Sequence, residues 1–186
     1  MQEVLDFRSW LLDNIRSDCK KWANDRQWLE VARNIWADTS LPAIKHILDG
    51  GALLLATDER RDWFISYALA RFHSSSKPRP ILPVLSLKSL FPAHFVLQKE
   101  NMENIRNMLK IAYKDYMFWY VGRSDTIMAD LCMGRGNGLF WVLNEGVRQS
   151  FVLKESDEFL DYKLIEMLQL FEKSLYASVL GKVVLE

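Results

Sequence analysis

Few groupings in this chain have residue types and spacing that could do chemistry. The turn Asp58-Glu59-Arg60-Arg61-Asp62-Trp63 places carboxylates close together, as a metal site or an acid–base pair would. Arg60 and Arg61 stand among them and can neutralise them, so charge complementarity at a helix start, or a protein contact surface, explains the turn better. Gly134-Arg135-Gly136-Asn137-Gly138 has the look of a phosphate loop. A phosphate cradle needs a strand before the glycines and a helix N-terminus after them, and here the strand-like run from Leu139 follows. That cluster is a turn. His46, His73 and His94 lie in separate segments, none has zinc spacing, and Cys19 and Cys132 supply no partners. His73 adjoins Ser74, Ser75 and Ser76, a base beside hydroxyls, but no G-x-S-x-G elbow surrounds any serine. No metal, cofactor or catalytic residue is expected.

The acidic turn matters because of what precedes and follows it. Gly50-Gly51 breaks a helical pattern, and the apolar run 52–56 is too short for a helix, so it reads as a buried strand. Thr57 and Asp58 offer N-cap oxygens for a helix that turns Trp63, Phe64, Tyr67, Ala68, Leu69 and Phe72 inward. In α/β sheets ligands bind where strands end and helices begin. This turn stands at such a place, without a glycine and with an excess of carboxylates.

The remaining elements follow from periodicity. Val4, Phe7, Leu11, Ile15, Cys19 and Trp22 predict an amphipathic helix over 1 to about 23. A second helical or irregular stretch holds Trp28 and Trp36; Ser40 then caps a new helix with Pro42 in its first turn, ending at Gly50. Strands are predicted at 81–87 (pairing from Val84, because of Pro83), at 117–121 ended by Gly122, at 139–143 and at 151–153. Helices are predicted at 101–112, after Ser124-Asp125 through Leu131, and at 158 to about 180 after Ser156-Asp157. Residues 73–80 form a polar loop, and 90–100 is irregular. Met117-Phe118-Trp119-Tyr120, aromatic on both faces, marks a central strand covered on both sides. Alternating strands and helices give an α/β three-layer sandwich, a mainly parallel sheet flanked by helices, in a single domain over 1–186.

The last helix has a wide apolar surface. Leu160, Leu164, Leu168, Phe171, Leu175 and Val179 form one line, and Met167 and Leu170 widen it. Such a helix is either central to the core or buried against another subunit. Leu160, Leu164, Met167, Leu170 and Phe171 are therefore candidates for an oligomer interface. Seven tryptophans in 186 residues also favour an oligomer or a protein partner. A formal net charge of zero argues against nucleic acid as the direct partner. No apolar run is long enough to span a bilayer, and two cysteines without a secretory leader predict reduced thiols in the cytoplasm.

Three stretches together carry a resemblance. Gly50-Gly51-Ala52-Leu53-Leu54 with Trp63-Phe64, Met117-Phe118-Trp119 with Val121-Gly122, and Leu153-Lys154-Glu155 with Leu160-Asp161-Tyr162-Lys163-Leu164 and Leu170-Phe171-Glu172 run in this order through most of the chain. In combination the chain resembles the HobA family, bacterial proteins that associate with the replication initiator DnaA and are counterparts of DiaA. The resemblance implies a five-stranded parallel sheet like that of the sugar isomerase (SIS) domain. It also implies a homotetramer, a dimer of dimers, that binds the N-terminal domain of DnaA and helps assemble the initiator at the origin. SIS enzymes hold a sugar phosphate with Ser/Thr/Gly-rich turns, and 57–61 has no such composition. A non-enzymatic adaptor is expected. The alternatives are a sugar-phosphate-binding or isomerase protein of the SIS class, or a nucleotide-binding enzyme of the doubly wound class. On the adaptor reading Asp58, Glu59, Arg60, Arg61, Asp62 and Trp63 are the expected contact surface for DnaA.

Overall fold

In a computed structural model the protein is described over residues 5–22, 27–74, 80–92 and 95–185. Ala23, Ser75, Ser76 and His94, and the side chains of Cys19 and Trp22, lie outside the described residues. The chain begins with β1 (Leu5–Asp6) and α1 (Phe7–Trp22). Asp6 Oδ1 accepts the backbone N–H groups of Arg8 (2.9 Å) and Ser9 (3.3 Å), which starts the helix at Phe7. Phe7, Leu11 and Ile15 are its buried stripe.

α2 (Gln27–Leu48) is one continuous helix, and Ser40 is a buried residue within it rather than an N-cap. Pro42 does not break it, because Pro42 and the exposed Asp38 lie on the solvent side, where the carbonyl left without its i+4 donor can meet water. Trp36, Ile44 and Ile47 hold the other side in the core.

The five-stranded sheet is formed by β2 (Ala52–Thr57), β3 (Val84–Ser86), β4 (Tyr116–Arg123), β5 (Gly138–Leu143) and β6 (Ser150–Leu153). Its order is β3-β2-β4-β5-β6, with every pair parallel. The chain leaves β2 for β3 on one side and returns to β4 on the other. The topological switch point therefore falls at the carboxyl ends of β2 and β4. β3 pairs from Val84, as Pro83 implies: Pro83 lacks an N–H, although its carbonyl still accepts from Leu53 (2.8 Å). Gly122 does not end β4, which continues to Arg123. β1 pairs in parallel with β7 (Val183–Val184), joining the two ends of the described chain.

The helices α3 (Asp62–Phe72), α4 (Met102–Ala112), α5 (Ile127–Met133) and α6 (Leu160–Val179) complete the layers. Met117, Trp119 and Val121 of β4 pack into the core shared by α1, α2, α3 and α6. Tyr116, Phe118 and Tyr120 pack into the core under α4 and α5. The period of two thus divides one strand between two apolar layers, as for a central strand buried on both faces. Trp119 stacks edge-on against Trp141 (5.1 Å between centroids), Phe64 and Phe72. Thr126, not Ser124 or Asp125, caps α5, its hydroxyl accepting from Ala129 N (3.1 Å). α6 starts at Leu160, two residues later than predicted, and Asp157, two residues before the N-cap Phe159, accepts the N–H of Phe159 (2.9 Å). No helix among the described residues is long and apolar enough to cross a membrane.

α6 resolves its two sequence alternatives in favour of the core. Leu160, Leu164, Met167, Leu170 and Phe171 are all buried within the single chain. They have little surface left exposed in the single chain. Leu164→Ala is expected to lower the free energy of unfolding by about 2–5 kcal/mol, as for a core leucine that leaves a cavity. Urea unfolding and light scattering together check this: a smaller oligomer at wild-type stability would return the helix to an interface.

Candidate functional site

The turn after β2 is built around the carboxylate of Asp58. A short 3-10 helix, Glu59–Arg61, leads into α3, and Asp58 caps it, Oδ1 accepting the backbone N–H of Arg61 (3.1 Å). Oδ2 accepts from the Arg61 guanidinium (2.9 Å) and from the backbone N–H of Arg123 at the end of β4 (2.9 Å). The Asp58 backbone N–H donates to Val121 O (3.3 Å). A carboxylate surrounded by a helix-start N–H, a second backbone N–H and a guanidinium occupies the kind of place where phosphate-binding turns hold their anion. Here the anion is a side chain of the turn itself.

The glycine missing from this turn is supplied by the neighbouring strand. Gly122 has φ +155°, and a Cβ there would lie 2.7 Å from Asp58 Oδ2 and 2.9 Å from the Asp58 backbone nitrogen. Only a bare Cα lets Asp58 come this close to β4.

Glu155, just beyond β6, closes the network. Its Oε1 accepts from Arg61 (2.8 Å) and from Arg60 (3.4 Å), and its Oε2 accepts from Asn144 Nδ2 (3.3 Å). Asn144 sits at φ +67°, a conformation asparagine tolerates, and its Oδ1 accepts the Glu155 N–H (2.9 Å). The Arg61 hydrogen bond, foremost, holds the Glu155 carboxyl below the usual carboxylate range, with Arg123 adding to it. Tyr120 also ends here, donating to Arg123 O (2.7 Å), and burial pushes its phenol well above the ordinary tyrosine range.

These facts divide the expected contact surface. Asp58 and Arg61, at 7% and 5% exposure, are structural and cannot present charge to a partner. Glu59 and Arg60 face solvent; Asp62 is half-buried and ion-paired to Lys88. Trp63 is half-buried against Phe64 (5.8 Å) and Tyr67 (6.5 Å). Sequence reasoning missed the part played by Gly122, Arg123, Asn144 and Glu155, which lie on distant segments; Gly122 figures there only as a strand end and within a stretch that carries the resemblance, and Glu155 only within such a stretch.

The other sequence groupings stay apart. Gly134–Gly138 is a turn before β5, at the opposite end of its strand from the Asp58 site, with Arg135 over the Tyr116 ring (4.4 Å). His46 Nε2 lies 3.2 Å from the Ala52 carbonyl beneath β2, in a structural role. Cys132 is wholly buried, which pushes its thiol pKa up and leaves it unreactive. Among the described residues no three His, Cys, Asp or Glu side chains gather as a metal site.

A cleft of about 720 Å³ opens beside the turn at the carboxyl ends of β2, β3 and β4. Ala56, Thr57 and Arg123 line it from the strand ends, Phe91 and Phe95 from the loop after β3, and Ile127 from α5.

Comparison with known proteins gives one consistent set of matches. The family model described as HobA, DNA replication regulator, matches residues 1–185. The DNA replication regulator protein HobA of Helicobacter pylori (strain ATCC 700392 / 26695) is 30% identical over 182 residues, covering 97% of this chain and 99% of that protein. Among solved structures, a HobA–DnaA (domain I-II) complex from Helicobacter pylori superposes with a TM-score of 0.77 at 29% identity, covering all of both chains. A structure of HobA from the same organism superposes with a TM-score of 0.74 at 29% identity, covering 97% of this chain and 99% of that one.

Removing the Asp58 carboxylate takes one of two carboxylate partners from the buried Arg61 guanidinium and the acceptor from two backbone N–H groups, so Asp58→Ala is expected to cost about 3–5 kcal/mol of stability, against less than about 0.5 kcal/mol for the exposed Arg60→Ala. Because the folded Glu155 carboxyl titrates below its unfolded value, its contribution is complete above about pH 4.3 and is lost as pH falls through the lower folded value. Glu155→Gln should therefore be less stable than wild type at pH 7 and approach it in acid. Urea unfolding across pH checks both; a constant difference between the two proteins down to pH 2 would show that the charge of Glu155 is not what stabilises the network.

Proposed function

The chain belongs to the HobA family of DNA replication regulators, and we propose that it is a non-enzymatic adaptor that binds the N-terminal domain of DnaA and promotes initiator assembly at the chromosomal origin. The observation that carries this is its likeness, over its full length, to HobA solved in complex with DnaA domains I-II. The chemistry of the turn supports an adaptor rather than an enzyme. At the switch point, where an α/β enzyme would hold an anionic substrate, Asp58 fills the anion's place and its partners are already engaged. A sugar phosphate would have to displace a covalently attached carboxylate from its donors.

The proposal includes a homotetramer, a dimer of dimers, working in the cytoplasm. Identical DnaA sites fixed in one array raise the effective concentration of neighbouring initiators, so each contact can stay modest. With the five α6 candidates buried, exposed apolar residues such as Val31 and Ile35, one turn apart on α2 at 81% and 56% exposure, are the surface proposed for subunit contacts. For DnaA we retain the rim of the acidic turn in reduced form: Glu59, Arg60 and Asp62, with the open edge of Trp63 beside them.

Rim charges act mainly on association. Arg60→Glu and Glu59→Lys are expected to slow association with the DnaA N-terminal domain by about tenfold at low salt while leaving melting temperature and mass unchanged. Surface plasmon resonance on both variants tests the surface, and wild-type rates in both would move the contact elsewhere. No binding at all by the wild-type protein would overturn the adaptor itself. Thermal-shift measurements address the rival: a ligand at about 100 times its dissociation constant stabilises by about 2.7 kcal/mol, and glucose 6-phosphate and fructose 6-phosphate are expected to give no shift.

A further inference from the structure

We propose that the cleft at the carboxyl ends of β2, β3 and β4 is a binding site for a free, uncharged small molecule with an apolar body of aromatic size, a function beyond the adaptor role and independent of it. The position is the first argument. The cleft lies at the switch point of a parallel sheet, where diverging crossovers leave a crevice whatever the protein does. Its volume of about 720 Å³ falls in the range of small-molecule sites, about 300–1,000 Å³.

The lining sets the ligand's chemistry. Phe91 and Phe95 stack on one another (4.7 Å between centroids, 18° between planes) and line the cleft. Phe95, Val96 and Ile127 are left 37%, 66% and 41% exposed in this concavity. Folding does not cover them, and together they make an apolar floor and wall rather than a scatter of single surface residues. Around them the charges cancel. The ion pairs Asp58–Arg61, Asp62–Lys88 and Asp125–Arg123 are part of the lining, and the remaining two charges, Glu59 and Arg60, are opposite in sign. Within the cleft an anion or a cation would have to break one of these three ion pairs to gain a partner, while Glu59 and Arg60 stand exposed to solvent at the rim. A neutral apolar molecule gains the floor and disturbs no pair.

The same concavity could in principle take an apolar side chain of a protein partner. A pocket of small-molecule volume whose lining charges largely neutralise one another favours the free molecule, and the experiment separates the two. The test is amide-detected NMR titration of the full chain with N-acetyltryptophanamide, an uncharged indole probe, and with N-acetyltryptophan, which carries the same ring and a carboxylate. The neutral probe is expected to shift the amides of Lys88, Leu97 and Ile127 saturably, with a dissociation constant on the order of 1 mM. The anionic probe should bind at least about tenfold more weakly. Val96→Asp and Ile127→Asp, each placing a charge at an exposed position, should abolish the shifts at wild-type melting temperature. Absence of a saturable shift at these amides, unchanged binding in both variants, or equal binding of the two probes overturns the proposal. So does competitive displacement of the probe by the DnaA N-terminal domain, which would assign the cleft to the protein partner. If that domain binds the wild-type chain and leaves the probe in place, both readings stand; if it fails to bind while the probe binds, only the adaptor reading falls.

Discussion

The carboxyl edge of the sheet depends on one buried carboxylate. Asp58 ties the end of β2 to the end of β4 through Arg123 N, starts the helix after β2 through Arg61 N, and neutralises the Arg61 guanidinium, which reaches Glu155 beyond β6. Parallel strands have no hairpins to fix their ends relative to one another. Here the ends of β2, β4 and β6 are fixed by a side-chain network instead. The cost of burying Asp58 and Arg61 is offset because each is paired and the carboxylate accepts two backbone donors as well. Gly122 is the steric condition for all of this, since any side chain there would occupy the position of Asp58.

The body of the domain rests on a different constraint, two-sided burial of an aromatic strand. β4 sends Trp119 into one layer and Phe118 and Tyr120 into the other, so each helical layer closes on the same central strand. The indole N–H groups of Trp36, Trp119 and Trp141 have no hydrogen-bond partner among the described residues. That is a real cost for each. It is accepted where the ring area buried is large, in the stack of Trp119, Trp141, Phe64, Phe72 and Phe171.

What could be read from sequence follows the range of the interactions involved. β2, the helix after it, the aromatic strand and the last helix were legible because local periodicity and turn residues encode them. Pro42 misled because a proline's effect on a helix depends on whether the freed carbonyl meets water, which is a tertiary fact. The acidic turn was legible as a place of interest, but not as to which of its charges would face out. Asp58 and Arg61 differ from Glu59 and Arg60 only through Gly122, Arg123 and Glu155, residues about 60 to 95 positions away. The width of the apolar face on α6 could not by itself distinguish core from interface. The layers of α1, α2 and α3 around α6 decide that.

The fold and the site make separate statements about function. A parallel sheet with its switch point between β2 and β4 creates a crevice by geometry alone. An enzyme acting on phosphates needs that crevice to keep unsatisfied donors, held ready for an anion that comes and goes. This chain uses those donors permanently on Asp58, which converts the polar half of the crevice into structure and leaves the apolar half open beside it. The charges that remain exposed, Glu59 and Arg60, stand on a turn whose backbone Asp58 anchors to β4 and to the start of the next helix. A charged turn anchored in this way suits recognition of another protein, because little further ordering is needed when it is bound. The residue that argues most strongly against substrate chemistry is thus also the one that fixes the surface proposed for the partner.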